Sequence, residues 1–340
     1  MKTIKIALLG YGDAGRAFAR LLMEKKNKAI EECFDTEVLI TSISTKTKGA
    51  ITDPAGIDIE KENESIDKTG KFSKYTDMSA LEIAAEADYD ILFELTPLDI
   101  FSGRPAIDHI ETALIRGKHV VSANKGPIAW DHKRLTELAI DKGCKFFYET
   151  TVMDGTPVFN LMDYTMRMCK VTGIKGVLNS TTNFILEEMS KGIEYGDIIA
   201  EGKKRGFVET DPSLDVEGWD SAAKLTALMN VLMDAGINPN DIDRKGIEDI
   251  TPDMIRQASE NDKVIRLMCY TENKGGVLTG HVKPMEIDRT ELYATVTGTT
   301  SVVSITTDLM GTVTVVEHDP EIEQTAYGIF SDLLRVLVSQ

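Results

Sequence analysis

The 340-residue sequence predicts an α/β fold in which a doubly wound parallel sheet is followed by a mixed α/β domain. Three observations predict it. Short apolar runs alternate with segments of helical period through the first 148 residues. A glycine-rich turn, Gly10-Tyr11-Gly12-Asp13-Ala14-Gly15, separates the first apolar run from the first helical one. Beyond residue 275 the alternation gives way to Thr- and Val-rich stretches of period two, the pattern of antiparallel strands.

In the first half, Ile4–Leu9 reads as a strand and Ala14–Lys25 as a helix with Ala17, Phe18, Leu21 and Leu22 on one face. Val38–Ser44, apolar and β-branched, is the second strand. Residues 45–74, rich in Lys, Glu, Asp and Gly, read as a solvated connection carrying a short helix. Ser79–Ala87 is helical before the strand Asp90–Glu94. The helix His109–Arg116 precedes the strand His119–Ser122, and the helix Leu135–Lys142 precedes the strand Lys145–Tyr148. Such alternation implies right-handed βαβ units. In the second half, residues 157–170, Phe184–Lys191, Tyr195–Arg205 and a longer run from about Val216 to Ala235 look helical, and Gly173–Leu178 strand-like. Gly276–Val316 reads as an antiparallel meander, and Tyr327–Val338 closes the chain as a helix. The expected division is a first domain over residues 1–150, completed by a helix within 321–340, and a second over 151–320.

The net charge is −17, which argues against nucleic acid and anionic membrane surfaces as partners. It does not exclude a small anion, because local Lys and backbone N–H groups dominate within a Debye length of about 8 Å. The cysteines Cys33, Cys144, Cys169 and Cys269 are widely spaced and read as reduced, buried small hydrophobes. The five histidines show no zinc-ligand spacing. The N-terminal apolar run meets Gly10 and Asp13 too soon for a secretion signal, and no stretch approaches the ~20 apolar residues of a membrane span. The cytoplasm is the expected location.

The turn at Gly10–Gly15 is G-x-G-x-x-G between strand and helix, the dinucleotide-binding arrangement of a Rossmann domain. Gly10 permits the tight turn, Gly12 lets backbone approach a pyrophosphate, and Gly15 allows close helix–strand packing. The N–H groups at Asp13 and Ala14 open the helix toward the phosphates. NAD enzymes usually place an acid at the end of the second strand for the ribose 2′-hydroxyl. Here Ser44 runs into Thr45-Lys46-Thr47-Lys48 with no acid, which favours NADP and leaves NAD possible. Thr96 in Glu94-Leu95-Thr96-Pro97 and Lys125 in Ser122-Ala123-Asn124-Lys125-Gly126-Pro127 follow strand ends, where a ligand crevice lies.

The second half carries Glu209, Asp211, Asp215, Glu217, Asp220 and Lys224 in close succession. Asp220 and Lys224 share a helix face at i, i+4. As a surface pair they would contribute little. Set among Ala223, Leu225, Leu228 and Met229, the lysine would be partly desolvated, its pKa pulled down by burial and held up by the carboxylates, and able to deliver a proton to a developing alkoxide.

These motifs, in this order, resemble homoserine dehydrogenase over nearly the whole chain. They are GYGDAG, ELTP, SANKGP, YETTVMDGTP, GIKGVLNSTTNFIL, GFVETDPSLDVEGWDSAAKL and GTTSVVSITTD, of which Gly206–Leu225 is the most specific. The resemblance implies reversible NAD(P)H-dependent reduction of L-aspartate 4-semialdehyde to L-homoserine. It implies a Rossmann domain plus a mixed α/β domain that dimerises and carries the substrate site. By the resemblance Lys224 donates the proton, Lys125 is a second lysine near the aldehyde oxygen and nicotinamide, Glu209 and Asp220 hold the substrate ammonium, and Thr96 and Lys125 contact the cofactor. It further implies sodium on main-chain carbonyls at Glu149, Val152, Asp154 and Thr156.

Two features depart from the family pattern. Its glycine-rich turn before the last helix is here the acidic stretch Glu317–Ala326, and the chain stops at Gln340 without a regulatory domain, so no threonine feedback through one is expected. A relative acting on another amino-acid or keto substrate, and a non-catalytic dinucleotide sensor, are the alternatives. A sensor has no need of the Glu209/Asp220/Lys224 set.

Overall fold

The glycine turn joins strand β1 (Lys2–Leu9) to a helix at Asp13–Arg20 in a computed structural model that describes residues 1–205 and 211–338, without the side chains of 24–26 and 205. The chain forms two compact units, Met1–Pro157 with Glu321–Gln340, and Val158–Pro320.

In the first unit, β2 (Thr36–Thr45), β3 (Gly49–Thr52), β4 (Ile91–Glu94), β5 (His119–Ser122) and β6 (Phe146–Phe147) join β1 in the order β3-β2-β1-β4-β5-β6. All pairings are parallel except β2–β3. The chain leaves β1 on one side toward β2 and returns on the other with β4, so the switch point falls where the glycine turn follows β1. Helices cover the sheet, and its strands are therefore almost wholly apolar: Ile6, Leu8, Ile40, Ile91 and Phe93 share one buried core. Phe18 of the first helix stacks on Phe93 with centroids 4.9 Å apart. Ile329, Leu333 and Val336 of the closing helix Ile322–Val338 enter the same core.

Two expectations here need correction. The first helix is α-helical only to Arg20; Leu21–Lys26 is a π segment and Asn27–Phe34 resumes the α-helix. Residues 45–74 are more than a solvated connection, since they form the edge hairpin β2–β3 and the helix Ile59–Thr69, which buries Ile59, Glu62, Asn63 and Ile66. The buried face has helical spacing, but two of its four positions are polar, so it carries no apolar stripe.

The second unit is a sheet of β7 (Val171–Val177), β8 (Asp243–Arg244), β9 (Lys263–Lys274), β10 (Val277–Asp288), β11 (Ser301–Thr307) and β12 (Gly311–Glu317) in the order β12-β11-β7-β9-β10-β8. Its pairs are antiparallel apart from β8–β10. Strand β9 escaped the sequence reading because Ile265–Cys269 are five consecutive buried residues, Arg266 among them, which erases the period-two signal. The expected long helix from Val216 is two, Ser213–Val216 and Trp219–Met233, parted at Gly218 with φ +80°. Among the cysteines Cys144 and Cys269 are buried as expected, whereas Cys33 is exposed; all four are free thiols. Among the described residues no helix is long and apolar enough to cross a membrane.

Candidate cofactor and substrate sites

The three glycines of the turn do different work. A Cβ on Gly10, at φ +102°, would lie 2.2 Å from the Leu95 carbonyl oxygen, and one on Gly15 would lie 2.8 Å from the Gly10 carbonyl oxygen. These two let β1, the chain after β4 and the first helix close on one another. A Cβ on Gly12 would meet nothing within 4 Å among the described residues. The space beside Gly12 is thus left open by the protein, at a helix N-terminus with no side-chain cap. Uncapped N–H groups and the positive end of the helix dipole favour negative charge in that space.

Neighbouring segments stiffen the turn. Asn63 Oδ1 accepts from the Tyr11 hydroxyl at 3.1 Å and from Arg16 Nε at 3.2 Å, so the buried Asn63 of the helix Ile59–Thr69 braces the glycine turn. From the β2–β3 hairpin, Lys48 Nζ donates to the Tyr11 carbonyl at 3.2 Å. One of the lysines after the second strand therefore stands at the glycine turn. Glu323, from the acidic stretch before the last helix, lines a cleft of about 570 Å³ together with Asp13, Arg16 and Arg20.

At the ends of β4 and β5, the fully buried Glu94 accepts from the Thr96 N–H at 2.9 Å and from the Thr96 hydroxyl, and meets His109 Nδ1 at 2.7 Å. Asn124 caps the helix Lys125–Asp141 through the Gly126 N–H at 2.9 Å and donates to the Thr96 carbonyl at 3.0 Å. Asn124 thus locks together the segments carrying Thr96 and Lys125, and Lys125 opens its helix half-buried. Glu94, His109 and Asn124 had drawn no role from the sequence. A buried acid at a strand end was the signal available.

Farther along the first unit, Glu149–Thr151 is a single 3-10 turn, Asp154 has φ +41°, and the Thr156 N–H donates to the Met153 carbonyl at 2.8 Å. Thr325 Oγ1 donates to Asp154 Oδ1 at 3.0 Å, and Gly328 packs against the Gly155 backbone. The Glu149 N–H donates to Asp332 Oδ2 at 2.8 Å. Burial pushes the Asp332 carboxyl up to about 7, against the pull of Arg335.

In the second unit, Asp220 and Lys224 fall on one face of Trp219–Met233 as expected, with Nζ 3.1 Å from Asp220 Oδ2. Their side chains are 14% and 19% exposed, so this is not a solvated surface pair. Lys224 Nζ also donates to the Leu178 carbonyl at 2.8 Å, just beyond β7. The next residue, Asn179, caps the helix Ser180–Ser190 by accepting the Thr182 N–H at 2.8 Å. Its amide nitrogen donates to Asp215 at 2.6 Å and to Asp220 at 2.9 Å. Burial first, and then the neighbouring Asp220, push the Asp215 carboxyl up, while Asn179 and Lys224 hold it down. Asn179 and Asp215 were missed as partners because only the fold brings residues 179 and 215 together; an Asn before a helical run was the one legible sign of a cap. Glu209, expected beside Asp220, lies outside the described residues.

The homoserine dehydrogenase family model matches residues 157–334. The chain is 35% identical to the homoserine dehydrogenase of Methanocaldococcus jannaschii over 97% of its own length and 98% of the relative's. The chain belongs to the homoserine dehydrogenase family. A relative from Pseudomonas canavaninivorans, named as an NAD(+)-dependent homoserine dehydrogenase, is 32% identical, with 99% of this chain and 97% of that one covered. The solved structure of a putative homoserine dehydrogenase from Archaeoglobus fulgidus superposes with a TM-score of 0.88 at 32% identity, covering 98% of this chain and 99% of the other. Membership of the homoserine dehydrogenase family accounts for both the glycine turn and the Asp220–Lys224 pair within a single chain.

Proposed function

We propose that the protein reduces L-aspartate 4-semialdehyde to L-homoserine, reversibly, with a nicotinamide dinucleotide held at the Gly10–Gly15 turn. The observation that carries the reading is the Lys224 ammonium, fixed by Asp220 and the Leu178 carbonyl, in a chain of this family. Gly12, Asp13 and Ala14 would hold a reduced dinucleotide at the turn, and that group would supply the hydride for the aldehyde carbon. Lys224 places an N–H donor at the aldehyde oxygen, stabilises the charge that grows there and hands it a proton, leaving the hydroxyl of homoserine. Lys125 is the second cation near that oxygen and, with Thr96, contacts the cofactor. Asp220 and Glu209 accept from the substrate ammonium, and Asn179 and Asp215 position Asp220. Lys48 beside the glycine turn supports NADP as the preferred cofactor.

The segment through Glu149, Val152, Asp154 and Thr156 suits a sodium ion on main-chain carbonyls. It turns tightly, and its buried Thr150 Oγ1 has no hydrogen-bond partner among the described residues. An oxygen-only donor set of this kind fits a hard cation, which would brace the segment on which the closing helix rests. Pairing of the second unit with that of another copy is the expected assembly; light scattering tests it.

The function is tested by following NADPH and NADH oxidation with aspartate semialdehyde in wild type and Lys224→Ala. Turnover in the wild type is expected, with a fall of about 10²–10⁴-fold in kcat in the variant and an unchanged circular dichroism spectrum. Absence of turnover with either cofactor rejects the reading; a variant of normal rate rejects the role of Lys224 alone.

A further inference from the structure

Strand β4 is apolar until its last residue: Ile91, Leu92 and Phe93 are followed by Glu94, and all four are buried. The Glu94 side chain has no exposed surface, and it faces His109 of the helix Ala106–Ile115, whose side chain is 4% exposed. A carboxylate taken wholly out of water is costly unless its oxygens are matched. Here both are matched. Oε2 meets His109 Nδ1 at 2.7 Å, and Oε1 accepts the Thr96 N–H at 2.9 Å together with the Thr96 hydroxyl. The end of the strand does not depend on this side chain, because backbone bonds already hold it. The Leu95 N–H donates to the Leu9 carbonyl at 2.7 Å, and the Ala123 N–H to the Glu94 carbonyl at 3.1 Å.

The consequence falls on Thr96. Both of its protons, N–H and O–H, are given to Glu94, and its carbonyl accepts from Asn124 Nδ2 at 3.0 Å. The same Asn124 nitrogen lies 3.4 Å from Thr96 Oγ1. A hydroxyl carries one proton and two lone pairs, so what Thr96 still offers is one lone pair on Oγ1. Thr96 is only half-buried, at the strand ends where the ligand crevice lies.

We infer that Glu94, seated on His109, is a positioning residue that fixes the Thr96 hydroxyl as a hydrogen-bond acceptor for a donor group of the nicotinamide dinucleotide. The inference rests on the cofactor contact proposed for Thr96. An unfixed hydroxyl rotates among several positions, and binding must then order it. One whose proton is already taken meets its partner preorganised. Glu94 acts on the cofactor through Thr96. Asn124 carries the same constraint to the helix that Lys125 opens, since its Oδ1 accepts the Gly126 N–H at 2.9 Å.

Fluorescence titration of the full chain with NADPH and NADH, following whichever binds more tightly, tests the assignment. Glu94→Met made together with His109→Leu removes the acceptor and leaves no charge buried, an exchange of a buried pair for apolar side chains that proteins often tolerate. Affinity should fall about tenfold in this apolar pair and about tenfold in Thr96→Val. With all three substitutions combined it should again fall about tenfold, not about a hundredfold, because the pair acts through the hydroxyl that Thr96→Val has already removed. Glu94→Gln should bind within about threefold of wild type. Its Oε1 still accepts from Thr96, and its Nε2 donates to a His109 tautomer whose Nδ1 accepts. Should the apolar pair fail to fold by circular dichroism, Glu94→Asp carries the same cycle, since it withdraws the acceptor by one methylene and keeps the charge. Multiplied losses, wild-type affinity in the apolar pair, or a Glu94→Gln variant as weak as that pair would each overturn the inference. Binding is read without turnover. Wild-type binding without aldehyde reduction would reject the proposed reaction and not this inference, whereas no binding of either dinucleotide rejects both.

Discussion

The Asn179 side-chain amide donates to Asp215 Oδ1 at 2.6 Å, and the same nitrogen reaches Asp220 at 2.9 Å. One neutral amide thus separates two carboxylates that would otherwise face each other. Asp215 is raised by burial and by Asp220, and Asn179 opposes both. Asn179→Ala removes the opposing hydrogen bond, so Asp215 will ionise at higher pH than in the wild type. The acid limb of the kcat/KM–pH profile should move upward, with kcat reduced about tenfold or more. An unshifted profile would show that Asn179 only caps its helix.

The turn glycines should separate by function. Gly10→Ala puts a Cβ 2.2 Å from the Leu95 carbonyl oxygen at a positive φ, and should destabilise the fold by about 2–4 kcal/mol. Gly12→Ala meets no atom of the described residues within 4 Å, so its stability should stay within about 1 kcal/mol of wild type. Dinucleotide affinity should nevertheless fall at least about tenfold, because the methyl group occupies the space left for the pyrophosphate. Thermal melts and a fluorescence titration measure the two effects; undiminished affinity in Gly12→Ala would remove the pyrophosphate from that space.

Lys48 donates to the Tyr11 carbonyl at the turn. Lys48→Ala should raise KM for NADPH about tenfold and leave KM for NADH nearly unchanged, since only the former carries a 2′-phosphate. Equal effects on both cofactors would make Lys48 a brace of the turn rather than a reader of the ribose.

Asp332 is fully buried beneath the segment it helps hold, and burial raises its carboxyl to about 7. Its folded pKa lies above the unfolded one, so the neutral acid is the form that folding favours. That contribution is whole below the unfolded pKa of about 4 and is lost as pH rises toward 7. Asp332→Asn cannot ionise. The stability of the variant relative to wild type should therefore climb between about pH 4 and pH 8, by an amount on the order of 2–4 kcal/mol. Parallel denaturant curves across that range would contradict the assignment.

By itself the sequence determined the alternation that builds the first sheet, the glycine turn at its switch point, and the i, i+4 pairing of Asp220 with Lys224. Each is a local pattern, carried by residues close in the chain whose spacing matches the period of a strand or helix. The tertiary structure alone decided the rest. It set Asn63 under Tyr11, Lys48 on the turn, Asn124 between Thr96 and Lys125, and Asn179 between Asp215 and Asp220. It also buried Arg266 in a strand whose period the burial itself conceals. The physical reason is shared by all of these. A polar side chain is tolerated in the interior only when distant chain segments supply its hydrogen-bond partners, and residue spacing carries no record of partners that meet only on folding.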